Sequence, residues 1–243
     1  GISGQEALEW GLIDELATPT KFHEATQNRA RELAKGSPRL EGSPTELPSL
    51  NPSISDEHII YDWVKVDLFE AHAELKVLVG SDSDWLIRTA LELDDVFCRL
   101  RFDYPHLGTL ILRTEGALDD IVRQDSELID PSTSDQLEIQ LLWRRCLTRL
   151  DLTAKTLVTA IEPGSCFVGV LFELALACDR IFMLDGQFED HENPLPAAPI
   201  QLTKTNFGAM PMWNEISRLT SRFWGDREAS SHLAAFSGTE ILA

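Results

Sequence analysis

Two hydrophobic periods alternate along this chain, and the switches between them mark its elements. Tyr61-Asp62-Trp63-Val64-Lys65-Val66-Asp67-Leu68 and Ala73-Glu74-Leu75-Lys76-Val77-Leu78-Val79 alternate with a period of two. That is the pattern of half-buried strands, and the short stretch between them predicts a hairpin. Trp85, Ala90, Leu93, Val96 and Phe97 then form one apolar stripe, which predicts a helix over 85–99. Thr109 to Thr114 reads as a strand ending at Glu115-Gly116, and an acidic loop leads to a helix over 136–149. Leu157 to Ile161 has the length and β-branched content of a buried strand, broken by Pro163-Gly164-Ser165. Beyond Phe167 the period becomes helical, with Leu171, Leu174, Ala175 and Cys178 on one side, and Ile181 to Leu184 closes the unit as a strand. Strand, helix, strand, helix, strand predicts an α/β fold with a largely parallel core.

The unit at 157–184 carries the candidate chemistry. The first N–H groups of a helix have no partner inside it, and the helix dipole is positive there. A helix start placed behind a sharp turn is therefore a place to hold a developing oxyanion. Glu173 sits one turn inside that start. A carboxylate there is electrostatically favourable on its own account. If it is buried beside Phe172 and Leu174, its pKa rises toward the range useful for acid/base work.

The flanks suggest a tandem arrangement. Gly1 to Leu8 reads GISGQEAL and Ala235 to Leu242 reads AFSGTEIL, with Ser-Gly, Glu and Leu in register. Ser3 and Glu6 make a capping box, and Leu8, Leu12 and Leu16 fall on one helical face. Residues 36–55 hold Pro38, Pro44, Pro48 and Pro52 among several Ser and Gly, the composition of a linker. Taken with the family resemblance given below, which implies it, the expected organisation is a helical tail of a preceding lobe over 1–35, a linker over 36–55, and a second lobe over 56–243 that stops where its own helical tail would begin. Exposed apolar positions of residues 5–16 would fold back as a helix or exchange between two chains, giving a homo-oligomer.

Charge narrows the partners. The chain has 243 residues and a net charge of −19, which argues against nucleic acid. No run approaches the ~20 apolar residues of a membrane span, so no membrane partner and a cytoplasmic location are expected. Cys98, Cys146, Cys166 and Cys178 are scattered through core-like runs, fitting neither a zinc site nor a disulfide framework. Glu189, Asp190, His191 and Glu192 form an acidic loop whose spacing favours solvation over a metal site, so no metal is expected.

Glu173-Leu-Ala-Leu-Ala-Cys-Asp179, set between a turn and a short strand, resembles the signature of the crotonase (enoyl-CoA hydratase) superfamily. Gly4-Gln5-Glu6-Ala7 with Gly11-Leu12-Ile13-Asp14-Glu15 resembles the segment that follows the catalytic half of such a domain. Pro163-Gly164-Ser165-Cys166-Phe167 and Asn206-Phe207-Gly208-Ala209-Met210-Pro211-Met212 are similar to one branch, ring-opening lyases of oxidised benzoyl-CoA, and this likeness runs over 56–243. The resemblance implies a crotonase-like ββα spiral, a CoA-thioester substrate, a companion crotonase lobe upstream in the same protein, and ring opening to an aliphatic semialdehyde-CoA with release of formate. It implies no metal or redox cofactor. It places the oxyanion donor at Val170, next to Gly169, with a second donor near Gly116, and an acid/base at Glu173. Lys204 falls where the family has a second glutamate, and Val170 and Leu171 fall where it has glycines. Arg144, Arg145, Arg149, Arg218 and Arg222 are the basic residues available for CoA phosphates, or else surface charges balancing an acidic chain. A plain enoyl-CoA hydratase or isomerase and a non-catalytic lobe remain the alternatives.

Overall fold

The computed structural model describes residues 1–37, 42–188 and 195–242. The chain divides into two compact units, Gly1–Leu40 and Glu41–Ala243.

The first unit consists of α1 (Gly4–Glu9) and α2 (Phe22–Lys35). Ser3 caps α1 through the expected reciprocal box: its Oγ accepts the Glu6 N–H at 3.2 Å, and its own N–H donates to Glu6 Oε2 at 2.7 Å. The helix then stops short of Leu12 and Leu16. Gly11 turns the chain with φ +71°, a conformation that ends a helix. Neither helix has a buried residue, and Trp10, Leu12, Leu16, Phe22 and Leu33 are exposed.

The second unit is built on a seven-stranded sheet. Its antiparallel half is β1 (Ser53–Ile54), β2 (His58–Ile60), β3 (Val64–Leu68) and β4 (His72–Leu78), so the expected hairpin is β3–β4, with Leu68 opposite Ala73. The unit boundary falls within the stretch read as a linker. Ser53–Ile54 joins the sheet as an edge strand, and Thr45 Oγ1 donates to Asp135 Oδ1 at 2.7 Å.

The parallel half alternates with helices. In chain order come α3 (Trp85–Phe102), β5 (Thr109–Glu115), α4 (Leu118–Ser126), α5 (Ser134–Asp151), β6 (Thr156–Ile161), the short β7 (Phe167–Val168), α6 (Gly169–Leu176) and β8 (Arg180–Met183). The sheet order is β1-β2-β3-β4-β5-β6-β8, parallel from β4 onward. A second sheet pairs β7 with β9 (Pro199–Gln201), and β9 with β10 (Glu240–Leu242). A 3₁₀ turn at Lys204–Phe207, α7 (Arg218–Arg222) and α8 (Arg227–Ala234) lie between β9 and β10.

Two further segments differ from the pattern-based expectation. The acidic stretch after β5, read as a loop, contains α4. Glu240–Leu242, matched in sequence to the helical start of the chain, is a strand. Its partner β9 supplies the backbone hydrogen bonds of a strand pair, and Gly238 N–H donates to Leu202 O at 2.7 Å.

The core sits between the sheet and the α3–α5 pair. Ala73, Leu75 and Val77 alternate inward on β4, and Leu110 and Leu112 do so on β5. Trp85 and Trp143 are fully buried with ring centroids 6.3 Å apart. Their indole N–H groups donate to Leu78 O and Leu86 O, so two large apolar side chains enter the core without an orphaned donor. Arg145 and Arg149 of α5 both pair with Asp94 of α3, and Arg144 approaches Glu215 at 3.7 Å. Three of the arginines weighed for CoA phosphates thus have carboxylate neighbours within this unit while keeping part of their side chains exposed.

Glu92 ties α3 to the antiparallel strands. It is 2 % exposed, and its Oε2 accepts the N–H groups of Trp63 and Val64 at 2.8 and 2.9 Å. Burial pushes its pKa up to about 7, against the lowering effect of those two N–H donors. A carboxyl that binds its proton more tightly folded than unfolded stabilises the fold fully below its unfolded pKa. That stabilisation is lost as pH rises through the folded value. Urea midpoints measured from pH 5 to pH 8 should therefore fall with pH, and Glu92→Gln should flatten the fall. An unchanged slope in Glu92→Gln would contradict this reading.

Candidate functional site

The turn that precedes α6 is closed locally. Ser165 N–H donates to Glu162 O at 2.8 Å, and Glu162 N–H donates to Ser165 Oγ at 3.1 Å. Cys166 N–H donates to Thr114 Oγ1 at 2.9 Å, which fastens the turn to the end of β5. The chain then passes through β7 and enters α6 at Gly169 with φ +49°, a region open to glycine at little cost. Val168 is the N-cap residue, and its apolar side chain offers no capping acceptor.

The cap comes instead from α4. Val170 N–H donates to Asp125 Oδ1 at 2.7 Å, a contact made across 45 positions of sequence. Asp125 is 1 % exposed, and Thr203 Oγ1 donates to its other oxygen at 2.6 Å. A Cβ on Gly169 would lie 2.2 Å from the Asp125 carboxyl, so the glycine serves close approach as well as backbone conformation. Burial pushes the Asp125 pKa up, opposed by Thr203, the Val170 N–H and Thr205. The Val170 N–H therefore begins the helix but faces a carboxyl of the chain, where the sequence suggested a donor for a substrate oxyanion.

Glu173 lies one turn further in and is 1 % exposed. Both of its oxygens are engaged. Asn206 Nδ2 donates to Oε1 at 2.8 Å, and Arg218 Nη1 donates to Oε2 at 2.9 Å. Arg218 is itself buried. It donates to both oxygens of Asp151, at 2.9 and 2.6 Å, and to Met210 O at 2.9 Å. Burial pushes the Glu173 pKa up to about 7, outweighing the Arg218 charge and the Asn206 amide that favour the carboxylate. Arg218, between two carboxylates, stays cationic.

Lys204 is exposed at the start of the 3₁₀ turn, and the cation paired with Glu173 is Arg218. The turn reaches the site through its neighbours. Thr203 caps it and binds Asp125, while Asn206 spans Gly169 O and Glu173. Gly116 ends β5 with φ +152°, its N–H donates to Gly164 O at 3.4 Å, and a Cβ there would meet Val79 Cβ at 2.6 Å. The structure thus brings Gly169, Val170 and Glu173 to one place and adds Asp125 and Asn206, which sequence reasoning passed over as site residues, and Arg218, which it weighed only for CoA phosphates or as a surface charge. For Asp125 a signal was present: Leu118, Ile121, Asp125 and Leu128 recur at three- and four-residue spacing. Arg218 and Asn206 act through contacts 45 and 33 positions long, which no local pattern announces.

Among the described residues no group of His, Cys, Asp and Glu is placed to hold a metal ion. The acidic loop at Glu189 to Glu192 lies outside the described residues. Burial pushes the Cys166 and Cys178 thiols up to about 12, so neither is a thiolate at neutral pH. No helix among the described residues is long and apolar enough to cross a membrane.

This architecture is the crotonase-like α/β fold. An enoyl-CoA hydratase from Geobacillus kaustophilus HTA426 superimposes with a TM-score of 0.51 at 19 % identity, over 80 % of this chain and 66 % of that one. An enoyl-CoA hydratase/carnitine racemase from Magnetospirillum magneticum does so with 0.51 at 17 % identity, over 77 % and 65 %. No family model matches the chain. In sequence the chain is 31 % identical over 258 aligned positions to a benzoyl-CoA-dihydrodiol lyase from Aromatoleum evansii, across 98 % of this chain. It spans 45 % of that relative's length.

Removing the central cation tests the geometry. Arg218→Ala would leave the buried Glu173 carboxyl and the part-buried Asp151 carboxylate without their counter-charge, and should cost about 3–5 kcal/mol of stability. Denaturant titration of the variant reads this directly; a loss below about 1 kcal/mol would place Arg218 outside the folding core.

Proposed function

We propose that the chain is part of an enzyme of CoA-thioester chemistry in the crotonase superfamily. On this reading it is a ring-opening lyase acting on an oxidised benzoyl-CoA, and the lobe described is a non-catalytic companion to an active crotonase lobe elsewhere in the protein. The likeness to the Aromatoleum lyase supports the substrate class. One observation supports this role for the lobe: the groups that would polarise a thioester and move a proton are both bonded internally. Val170 N–H is bonded to Asp125, and both Glu173 oxygens are bonded to Asn206 and Arg218.

A second reading keeps Val170 and Gly169 as the oxyanion site and Glu173 as the acid/base, once α4 has withdrawn. The Glu173 pKa near 7 favours it, because general acid/base groups work best near the operating pH.

Turnover of dihydrodiol- or epoxybenzoyl-CoA by the full-length protein separates the two. On the companion-lobe reading, Glu173→Gln lowers the melting temperature but leaves kcat per folded molecule within about twofold. A kcat loss of about 10²-fold or more, the size of a general acid/base contribution, would establish the second reading in its place.

A further inference from the structure

The buried Glu92 carboxyl has hydrogen-bond donors but no counter-charge. Its Oε2 is held by the Trp63 and Val64 N–H groups. Among the described residues it enters no ion pair. Arg88, one turn earlier on α3, goes instead to Asp84, and to Asp62 at 3.5 Å. Glu173, buried to the same degree, has Arg218 at 2.9 Å. Charges taken out of water are ordinarily paired, because an uncompensated one is costly to bury. Glu92 lacks that compensation, and burial accordingly pushes its proton affinity up.

A second, independent observation is the space beside this carboxyl. Leu50 and Asn51 from the stretch before β1, Tyr61 and Asp62 from the turn between β2 and β3, and Arg88 with Glu92 from α3 line a cavity of about 260 Å³. The Tyr61 hydroxyl is committed to Asp95 and Arg99, so its ring and Leu50 form the apolar part of the lining. Asp62 places a second carboxylate at the rim, with its side chain 72 % exposed. A buried carboxyl without a cation and a cavity with room for one therefore lie side by side. Among the described residues no group of His, Cys, Asp and Glu is placed to hold a metal ion, and the space exceeds what a bare ion fills. The lining suits an organic cation that donates hydrogen bonds at its charged end and carries a short apolar chain.

We propose that this cavity is a binding site for a small primary ammonium, its charged end on Glu92 with Asp62 beside it and its chain against Leu50 and the Tyr61 ring. The site shares no residue with the head of α6, and it holds whichever of the two readings above is right. Cation binding and protonation of Glu92 oppose each other. With a pKa of about 7 the carboxyl is mostly protonated at pH 6 and mostly ionised at pH 8. An alkylammonium, charged throughout that range, therefore binds about tenfold more tightly at pH 8 than at pH 6. The other charged and titratable groups on the elements around Glu92 are Tyr61 and Asp62 of the turn, and Asp84, Arg88, Asp95 and Arg99 of α3.

The full chain is melted at pH 8 in n-butylammonium chloride, tetramethylammonium chloride and sodium chloride of equal ionic strength. Only n-butylammonium combines a donor head with a chain, and it alone should give a saturating rise in Tm, about 3–6 °C at tenfold excess over its Kd. At pH 6 the apparent Kd should be about tenfold weaker. Glu92→Gln keeps an acceptor for the two N–H groups but loses the charge, and should abolish the n-butylammonium effect. Equal responses to the three salts, a response that never saturates, a Kd unchanged between pH 6 and pH 8, or a full effect in Glu92→Gln would each overturn the proposal. If Glu92→Gln does not fold, the wild-type Glu92 carboxyl carbon is followed through pH 5–9 by nuclear magnetic resonance. Saturating n-butylammonium should lower its titration midpoint, and an unmoved midpoint overturns the site.

Discussion

One hydrogen bond, from the Val170 N–H to the Asp125 carboxyl, organises the region around the head of α6. It requires Gly169 at its left-handed φ, because any Cβ would occupy the carboxyl's place. It requires α4 to pack on α6 and the turn after β9 to bring Thr203 up against the same carboxyl. That turn in turn presents Asn206 to Gly169 O and Glu173. The head of α6 is fixed from three directions by contacts that are distant in sequence.

The second layer of the same region is the pairing of Arg218 with Glu173 and Asp151. Desolvation of charges is expensive, and mutual attraction offsets it only where hydrogen bonds satisfy the remaining positions. That condition is met for Arg218, whose bonds go to two carboxylates and a carbonyl. For Glu173 burial still wins over the adjacent cation, which is why its pKa moves up and not down. A pKa near neutrality is a necessary property of an acid/base group and is not sufficient. Transfer also needs an oxygen within reach of the proton to be moved, and both Glu173 oxygens are already held. Geometry, more than titration, decides the role assigned to this lobe.

The sequence is most legible where periodicity is strong and local. The β3–β4 hairpin, α3, α5, β6, α6 and β8 follow from alternating or helical apolar patterns, and the turn at Pro163-Gly164 follows from its residue types. The position of Val170 at a helix start is also a local property. What the residues did not disclose is what faces that start. The acidic composition of 117–126 reads as a solvated loop, because Asp119, Asp120 and Asp125 mask the stripe of Leu118, Ile121 and Leu128. Arg218 reads in sequence as a candidate for CoA phosphates or as a surface charge, and only the fold shows the two carboxylates that hold it inside. The unlike structures of Gly4–Glu9 and Glu240–Leu242 have the same cause. Similar residues become helix where a capping box is the best local option, and strand where β9 offers a ladder.

Everything assigned to the head of α6 depends on Asp125 occupying the Val170 N–H in solution. The most direct measurement is the scalar coupling carried across a hydrogen bond, read by nuclear magnetic resonance on uniformly labelled full chain. A correlation between the Val170 amide nitrogen and the Asp125 side-chain carboxyl carbon is the predicted result. A Val170 amide that couples to a backbone carbonyl, or that shows no such correlation while exchanging with solvent as fast as an exposed loop amide, would contradict it.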